Sequence, residues 1–232
     1  MSGEEEDRSS VSGLVGQAPP SIGILDYGMG NRRSVEKALI RVGASAFVSR
    51  DHERLRKAAA LVLPGVGAFP AAMRTIAELG LDELLQERVA AGVPLFGSCL
   101  GMQLLFERSE EHGGAEGLAL LAGEVTRLRA DGLKLPHIGW SEVQWCSQSP
   151  LRDGVPEPTS LYHVHGFAVR PADSRIVVAT AEYGERFPAV IASGNIYGAQ
   201  SHPEKSSKHG LALLANFARI CAGAAADVSV HA

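Results

Sequence analysis

In the first half of the chain, short apolar runs alternate with stretches whose apolar residues recur at helical spacing. The runs are Ser21–Asp26, Ala44–Ser49, Ala59–Leu63 and the segment from Val93 into Cys99. A run that is apolar at successive positions fits a strand covered on both faces, as in a parallel sheet. Three of the runs stop at small, turn-forming residues: Tyr27-Gly28-Met29-Gly30-Asn31, Pro64-Gly65-Val66-Gly67 and Gly97-Ser98-Cys99-Leu100-Gly101. The first stretch at helical spacing starts with Asn31 as its expected N-cap, runs to about Val42 and is closed by Gly43. Further helical patterns continue to about Ala91. Strands alternating with helices predict an α/β fold with a mostly parallel central sheet and helices on both faces. In such sheets ligands bind beyond the carboxyl ends of the strands, so the three glycine turns should gather on one edge.

The second half changes period. Gly123–Leu128, Lys134–Ile138, Glu142–Trp145, Leu161–Val169, Arg175–Ala181, Val190–Ser193 and Ile196–Gln200 read as short strands between turn residues, an antiparallel addition to the first unit. A last helix is expected from about Ser206 to Ala222, with Leu211, Leu214, Phe217 and Ala218 on its apolar face. Residues 1–20 and 223–232 read as disordered tails around one domain over 21–222.

Composition narrows the function classes. The chain has 232 residues, 45% of them hydrophobic, enough for one large core. A formal net charge of −4 with 21% charged residues marks neither a nucleic-acid groove nor a basic membrane patch. No apolar run reaches the roughly 18 residues of a membrane span. The acidic start Met1-Ser2-Gly3-Glu4-Glu5-Glu6-Asp7 is unlike a signal peptide. The 3 cysteines are widely spaced, without a CxxC pair or zinc-ligand spacing, so a reducing cytoplasm and no metal are expected. Gly28-Met29-Gly30 lacks the full dinucleotide fingerprint, and no cofactor is expected.

The chemistry centres on Cys99. It stands where an apolar strand turns sharply into a helix, so its sulfur is presented with helix N-terminal amides behind it. Those amides favour an anion at the sulfur and can stabilise an oxyanion. The segment alone fits an inert buried cysteine equally well. Ser201-His202-Pro203-Glu204 shifts the balance: His202 ends a strand, and Glu204, two positions on, can fix its tautomer and leave the other nitrogen for Cys99. His163 and His165 alternate on a strand and share a face, but a third metal ligand is lacking. His137 reads as a structural or lining residue, and His52, His112, His209 and His231 as surface.

Gly97-Ser98-Cys99-Leu100-Gly101-Met102-Gln103 together with His202-Pro203-Glu204 resembles the class I (triad) glutamine amidotransferases, whose fold is flavodoxin-like and three-layered. Asp26-Tyr27-Gly28-Met29-Gly30-Asn31, Leu63-Pro64-Gly65-Val66-Gly67-Ala68-Phe69, Pro136-His137-Ile138-Gly139-Trp140 and His202-Pro203-Glu204-Lys205-Ser206 are similar to the glutaminase subunits of imidazole glycerol phosphate synthases within that family. The resemblance spans about residues 21–222 and implies the following roles. Cys99 would attack the side-chain amide of glutamine, His202 would move the proton and Glu204 would orient His202. Leu100 would supply one oxyanion donor, and Gly65, Val66 and Gly67 the loop carrying another. Gln103, Gly166 and Phe167 would hold the glutamine. Ammonia would pass to a (β/α)8-barrel cyclase subunit in a heterodimer serving histidine biosynthesis. Lys205, Trp140 and Tyr162 are expected at the interface, with core packing the alternative for the two aromatics. Three positions depart from the family pattern: Ser98 stands where an apolar residue is common, and Gly166 and Phe167 replace hydroxyl residues, which puts hydroxyl contacts to glutamine in question.

Overall fold

The computed structural model describes residues 18–230. The first unit runs β1 (Ser21–Leu25), α1 (Arg32–Arg41), β2 (Ser45–Ser49), α2 (His52–Arg56), β3 (Ala60–Gly65), α3 (Phe69–Glu78), α4 (Leu81–Ala90), β4 (Leu95–Cys99) and α5 (Leu100–Leu104). Next come β5 (Phe106–Ser109), β6 (Ala115–Glu116), β7 (Leu121–Arg127), β8 (His137–Trp145), β9 (Thr159–His165) and β10 (Phe167–Pro171). The chain closes with β11 (Val177–Tyr183), β12 (Glu185–Ser193), β13 (Ile196–Ala199) and α6 (Ser207–Val230).

A nine-stranded sheet has the order β2-β1-β3-β4-β13-β12-β11-β8-β9. It is parallel from β2 to β13 and antiparallel from there to β9. A four-stranded sheet, β10-β7-β5-β6, packs beside it. The apolar runs alternate between two cores: Ile22, Ile24, Ala60, Val62 and Phe96 meet Leu214, Phe217 and Ala218 of α6 on one face. Leu25, Leu61, Leu63 and Leu95 meet Ile76, Leu84 and Leu85 on the other. This two-sided burial is the three-layer α/β architecture the patterning predicts.

Several boundaries differ from expectation for physical reasons. β3 continues through Pro64 to Gly65. The Leu61 amide points to β4, so the alternate Pro64 nitrogen points toward β1, which pairs β3 only as far as Val62. The missing N–H therefore costs no ladder bond. Of the expected strand Lys134–Ile138, His137 and Ile138 join Glu142–Trp145 in one strand, β8, and residues 134–136 lie outside it. Leu161–Val169, expected as one, breaks at Gly166, where the chain leaves the large sheet for the small one. Helical backbone in α6 runs past Ala222 to Val230, over most of what reads as a tail in 223–232. Most of the expected tail over 1–20 lies outside the described residues. Among the described residues, no helix is long and apolar enough to cross a membrane.

Candidate active site

The three glycine turns do converge. A Cβ built on Gly30 would lie 3.5 Å from Pro64 and from the Gly65 nitrogen, and one on Gly65 would lie 2.7 Å from Gly101. At the centre, Cys99 ends β4 with φ 54° and ψ −112°, and α5 starts at the next residue. A positive φ on a residue with a side chain is strained, as in a nucleophile elbow. Two glycines make the elbow fit: a Cβ on Gly101 would stand 1.8 Å from the Leu63 carbonyl oxygen, and one on Gly97 would stand 2.7 Å from the Gly101 oxygen. Only bare backbone lets α5 pack this closely on β3 and β4.

Cys99 is 5% exposed. Its Sγ lies 3.6 Å from the Val164 carbonyl oxygen and 3.8 Å from Nε2 of Gln200. His202, whose amide donates to the Tyr162 carbonyl at 2.8 Å, lines the same cleft as Cys99. Its Nδ1 is 3.1 Å from Glu204 Oε1. Burial alone would lower the His202 pKa, but the Cys99 sulfur and the Glu204 carboxylate outweigh it and raise it to about 10. Glu204 Oε1 also accepts from Nδ2 of Asn31 at 3.3 Å, while Oε2 is buried with no partner among the described residues. Asn31 does stand at the N-cap position of α1, but its side chain makes no capping bond and instead restrains the carboxylate beside His202.

The cleft is lined by Cys99, Leu100, Gln103, Val66 and Gly67 together with Val164, His165, Gly166, Phe167, Glu111 and His202. The expected substrate residues are thus brought together, with the exception of Gly65, which packs against α5 instead. Phe167 contributes through its backbone, its carbonyl accepting from Gln103 Nε2 at 3.0 Å and bonding His165 Nδ1 at 2.9 Å. Gly166 leaves room, the nearest atom to a Cβ being 3.9 Å away.

Sequence reasoning missed Glu111 and Gln200. Glu111 Oε2 accepts from the Phe69 amide at 2.7 Å, capping α3 where Ala68 has no side chain to do so, and its carboxylate borders the cleft. Its contact spans 42 positions of sequence, which no local pattern signals. Tyr27, fully buried, donates from its hydroxyl to the Pro64 carbonyl at 2.5 Å.

His163 and His165 do share a face, and His137 joins them. His165 Nδ1 bonds the Phe167 carbonyl, which leaves its Nε2 to accept from His137 Nδ1 at 3.3 Å, and His137 Nε2 to accept from Ser141 at 3.1 Å. Burial lowers the pKa of His163 to about 3 and of His165 to about 4. Among the described residues no His, Cys, Asp or Glu cluster is arranged to hold a metal. His52 and His209, expected at the surface, are half-buried: His52 Nε2 bonds the Leu79 carbonyl and His209 Nδ1 meets Ser160. Trp140 is 54% exposed and packs edge-on against Tyr162, so it is not core; Ile138, two positions before Trp140 on the same strand, is exposed, and so is Lys205.

Comparison with known proteins gives the family and the fold. The family model described as "Glutamine amidotransferase class-I" matches residues 23–221. The imidazole glycerol phosphate synthase subunit HisH of Bacillus subtilis is 46% identical over 206 residues, covering 87% of this chain and 97% of the relative. The same subunit of Shouchella clausii is 47% identical, covering 87% of this chain and 99% of the relative. In fold, the solved structure of PurLQS from Thermotoga maritima superposes with a TM-score of 0.68 at 18% identity, over 87% of this chain and 99% of that one.

Proposed function

The chain belongs to the class-I glutamine amidotransferase family, and we propose that it is the glutaminase subunit of an imidazole glycerol phosphate synthase, with Cys99, His202 and Glu204 as its triad. One observation carries the assignment of residues: the strained Cys99 elbow opens on the same cleft as an imidazole whose Nδ1 is held by Glu204 at 3.1 Å. The relatives' shared name supports the pathway.

In this reading the Cys99 thiol passes its proton to His202 and the sulfur attacks the side-chain carbonyl carbon of glutamine. The C–S bond forms and the oxygen becomes an oxyanion facing the Leu100 amide and the Val66–Gly67 loop. His202 then gives its proton to the departing nitrogen, the C–N bond breaks and ammonia leaves. Water, deprotonated by His202, hydrolyses the thioester to glutamate and restores the thiol. Glu204 holds the imidazole in the productive tautomer throughout. Gln103 and Glu111 take the α-ammonium of the substrate, the carboxylate of Glu111 supplying the opposite charge, while Gly166 and Phe167 contribute backbone contacts.

Ammonia passes to a (β/α)8-barrel cyclase subunit, which makes imidazole glycerol phosphate and aminoimidazole carboxamide ribotide for histidine biosynthesis. The surface of Trp140, Tyr162 and Lys205 serves as the docking face; Tyr162 links it to the site because its carbonyl accepts the His202 amide. The free cysteines suit a cytoplasmic protein. Glutamate release is measured for the chain alone, then with a cyclase subunit carrying its ribotide ligand, with Cys99→Ala as control. Release that needs the loaded cyclase and disappears in Cys99→Ala supports the reading. Equal release without cyclase overturns the partner, and release by Cys99→Ala overturns the nucleophile.

A further inference from the structure

We propose that Gln200 is a positioning residue of the glutaminase site, one carboxamide that completes the restraint of the Gln103 side chain and directs a donor at the Cys99 sulfur. The inference rests on the assignment of Cys99 and Gln103 made above. Gln200 follows β13 and has no exposed surface; its amide donates to the Ala189 carbonyl at 2.9 Å, which fixes the backbone. Its side chain reaches inward between the two site residues. Oε1 accepts from Gln103 Nε2 at 3.1 Å, and Nε2 points at Cys99 Sγ, 3.8 Å away.

The polarity of this chain of contacts is forced from one end. The Phe167 carbonyl can only accept, so the atom of Gln103 that lies 3.0 Å from it is the nitrogen. With one Gln103 N–H on Phe167, the other faces Gln200, whose facing atom must be the oxygen, since two amide nitrogens would clash as donors. The NH₂ of Gln200 is thereby left for the sulfur. A weak N–H contact in a buried setting favours negative charge on sulfur and restrains its rotamer. At the other end, both donors of Gln103 are used, so its Oε1 is the one group it can offer to the cleft. That end accepts an N–H, as on an α-ammonium, and repels a carboxylate. Gln200 thus contributes to both reactivity and substrate polarity without touching substrate.

Two variants separate the two effects. Gln200→Met keeps the bulk but offers neither donor nor acceptor; Gln200→Glu keeps an acceptor for Gln103 and replaces the donor at sulfur. Each is assayed as the full chain with the ligand-loaded cyclase for KM and kcat, and alone for alkylation of Cys99 by iodoacetamide at neutral pH. Alkylation is followed on the Cys99 peptide by mass spectrometry because Cys146 is exposed. Gln200→Met should raise KM about tenfold or more, as expected for leaving the second N–H of Gln103 buried and unpaired, with the Phe167 carbonyl as its one remaining restraint. Gln200→Glu should lower kcat and Cys99 alkylation by about tenfold while KM stays within about threefold. Folding is checked by circular dichroism, and if Gln200→Met does not fold, the kcat and alkylation loss in Gln200→Glu decides. Folded variants with KM, kcat and alkylation all within about twofold of the parent overturn the proposal. If the parent complex releases no glutamate, the functional assignment fails instead, and the alkylation rates still decide whether Gln200 acts on the sulfur.

Discussion

The Nδ1 of His202 and the Oε1 of Glu204 stand 3.1 Å apart with both side chains withdrawn from solvent, 4% and 1% exposed. In a site this dry the carboxylate has few competitors for the imidazole proton, and it is one of two groups that raise the His202 pKa to about 10. Glu204→Gln keeps the shape and removes the charge. The His202 pKa should drop, and cyclase-activated glutaminase activity should fall by roughly a hundredfold or more, as for other triads that lose the orienting acid. The test is NMR titration of the His202 ring beside the rate measurement. An unchanged titration would remove Glu204 from the role assigned to it.

The buried histidines set a stability profile with two slopes. His202 has a folded pKa raised above the unfolded value of about 6.5, so its contribution is complete below that value and is lost as pH climbs toward about 10. His163 and His165 are lowered to about 3 and about 4, so theirs is complete above about 6.5 and is lost as pH falls toward those values. Stability should therefore peak near neutrality. Each histidine contributes a slope of up to about 1.4 kcal/mol per pH unit on its own side. His163→Phe should flatten the acid limb of the urea midpoint against pH and leave the alkaline limb alone. An unchanged acid limb would show that His163 is not held neutral.

Close approach at Gly101 leads to a stability prediction with an internal control. A Cβ there would meet the Leu63 backbone oxygen at 1.8 Å, and backbone cannot swing aside. Gly101→Ala should push α5 off β3, cost more than about 2 kcal/mol by thermal unfolding and abolish glutamine hydrolysis. Gly223, in α6 with nothing within 4 Å of its would-be Cβ, provides the contrast. Gly223→Ala should leave activity intact and stabilise by up to about 1 kcal/mol. Equal tolerance of both changes would mean that the elbow is not packed as described.

The parts of this site legible in the sequence were those written in neighbouring residues. The apolar run into Gly97-Ser98-Cys99 dictates a buried strand and a sharp turn, and His202 and Glu204 sit two positions apart, so their pairing is nearly local. Trp140 was readable only as aromatic, because register decides its side; opposite Tyr162 on the edge pair β8–β9 it faces out. Asn31 shows the limit from the other direction. Its propensity favours a cap, yet a carboxylate 173 positions away takes its amide. Glu111 and Gln200 were invisible for the same reason, since each acts through a partner 42 or about a hundred positions distant, and only the folded topology supplies those contacts.

Exposure at Trp140 makes docking testable without disturbing the fold. More than half of its surface is open, its contact is Tyr162, and Ile138 beside it is 62% exposed. Large apolar side chains left open together mark a surface that a partner covers. Trp140→Ala should leave the melting temperature of the isolated chain almost unchanged and weaken cyclase binding by about tenfold or more, measured by calorimetry. Unaltered affinity would move the docking face elsewhere.

Tyr27 bears on the loop proposed to carry the second oxyanion donor. Its hydroxyl donates to the Pro64 carbonyl at 2.5 Å, and burial raises its pKa well above the ordinary tyrosine value, so it remains a neutral donor. Pro64 opens the segment that carries Val66 and Gly67 to the cleft, and Gly67 has φ 107°, a conformation from which glycine alone turns freely. The bond ties down the fixed end of a loop whose other end must present an amide to the oxyanion. Tyr27→Phe removes one hydrogen bond worth about 1 kcal/mol and little else, since the ring stays. Loosening the loop should raise glutamate release by the chain alone about threefold to tenfold and shrink the activation by loaded cyclase by the same factor. The two rates come from one assay, which makes the ratio its own control. If release by the lone chain stays at the parent level while the variant melts about as the parent does, Tyr27 supports the strand and not the loop.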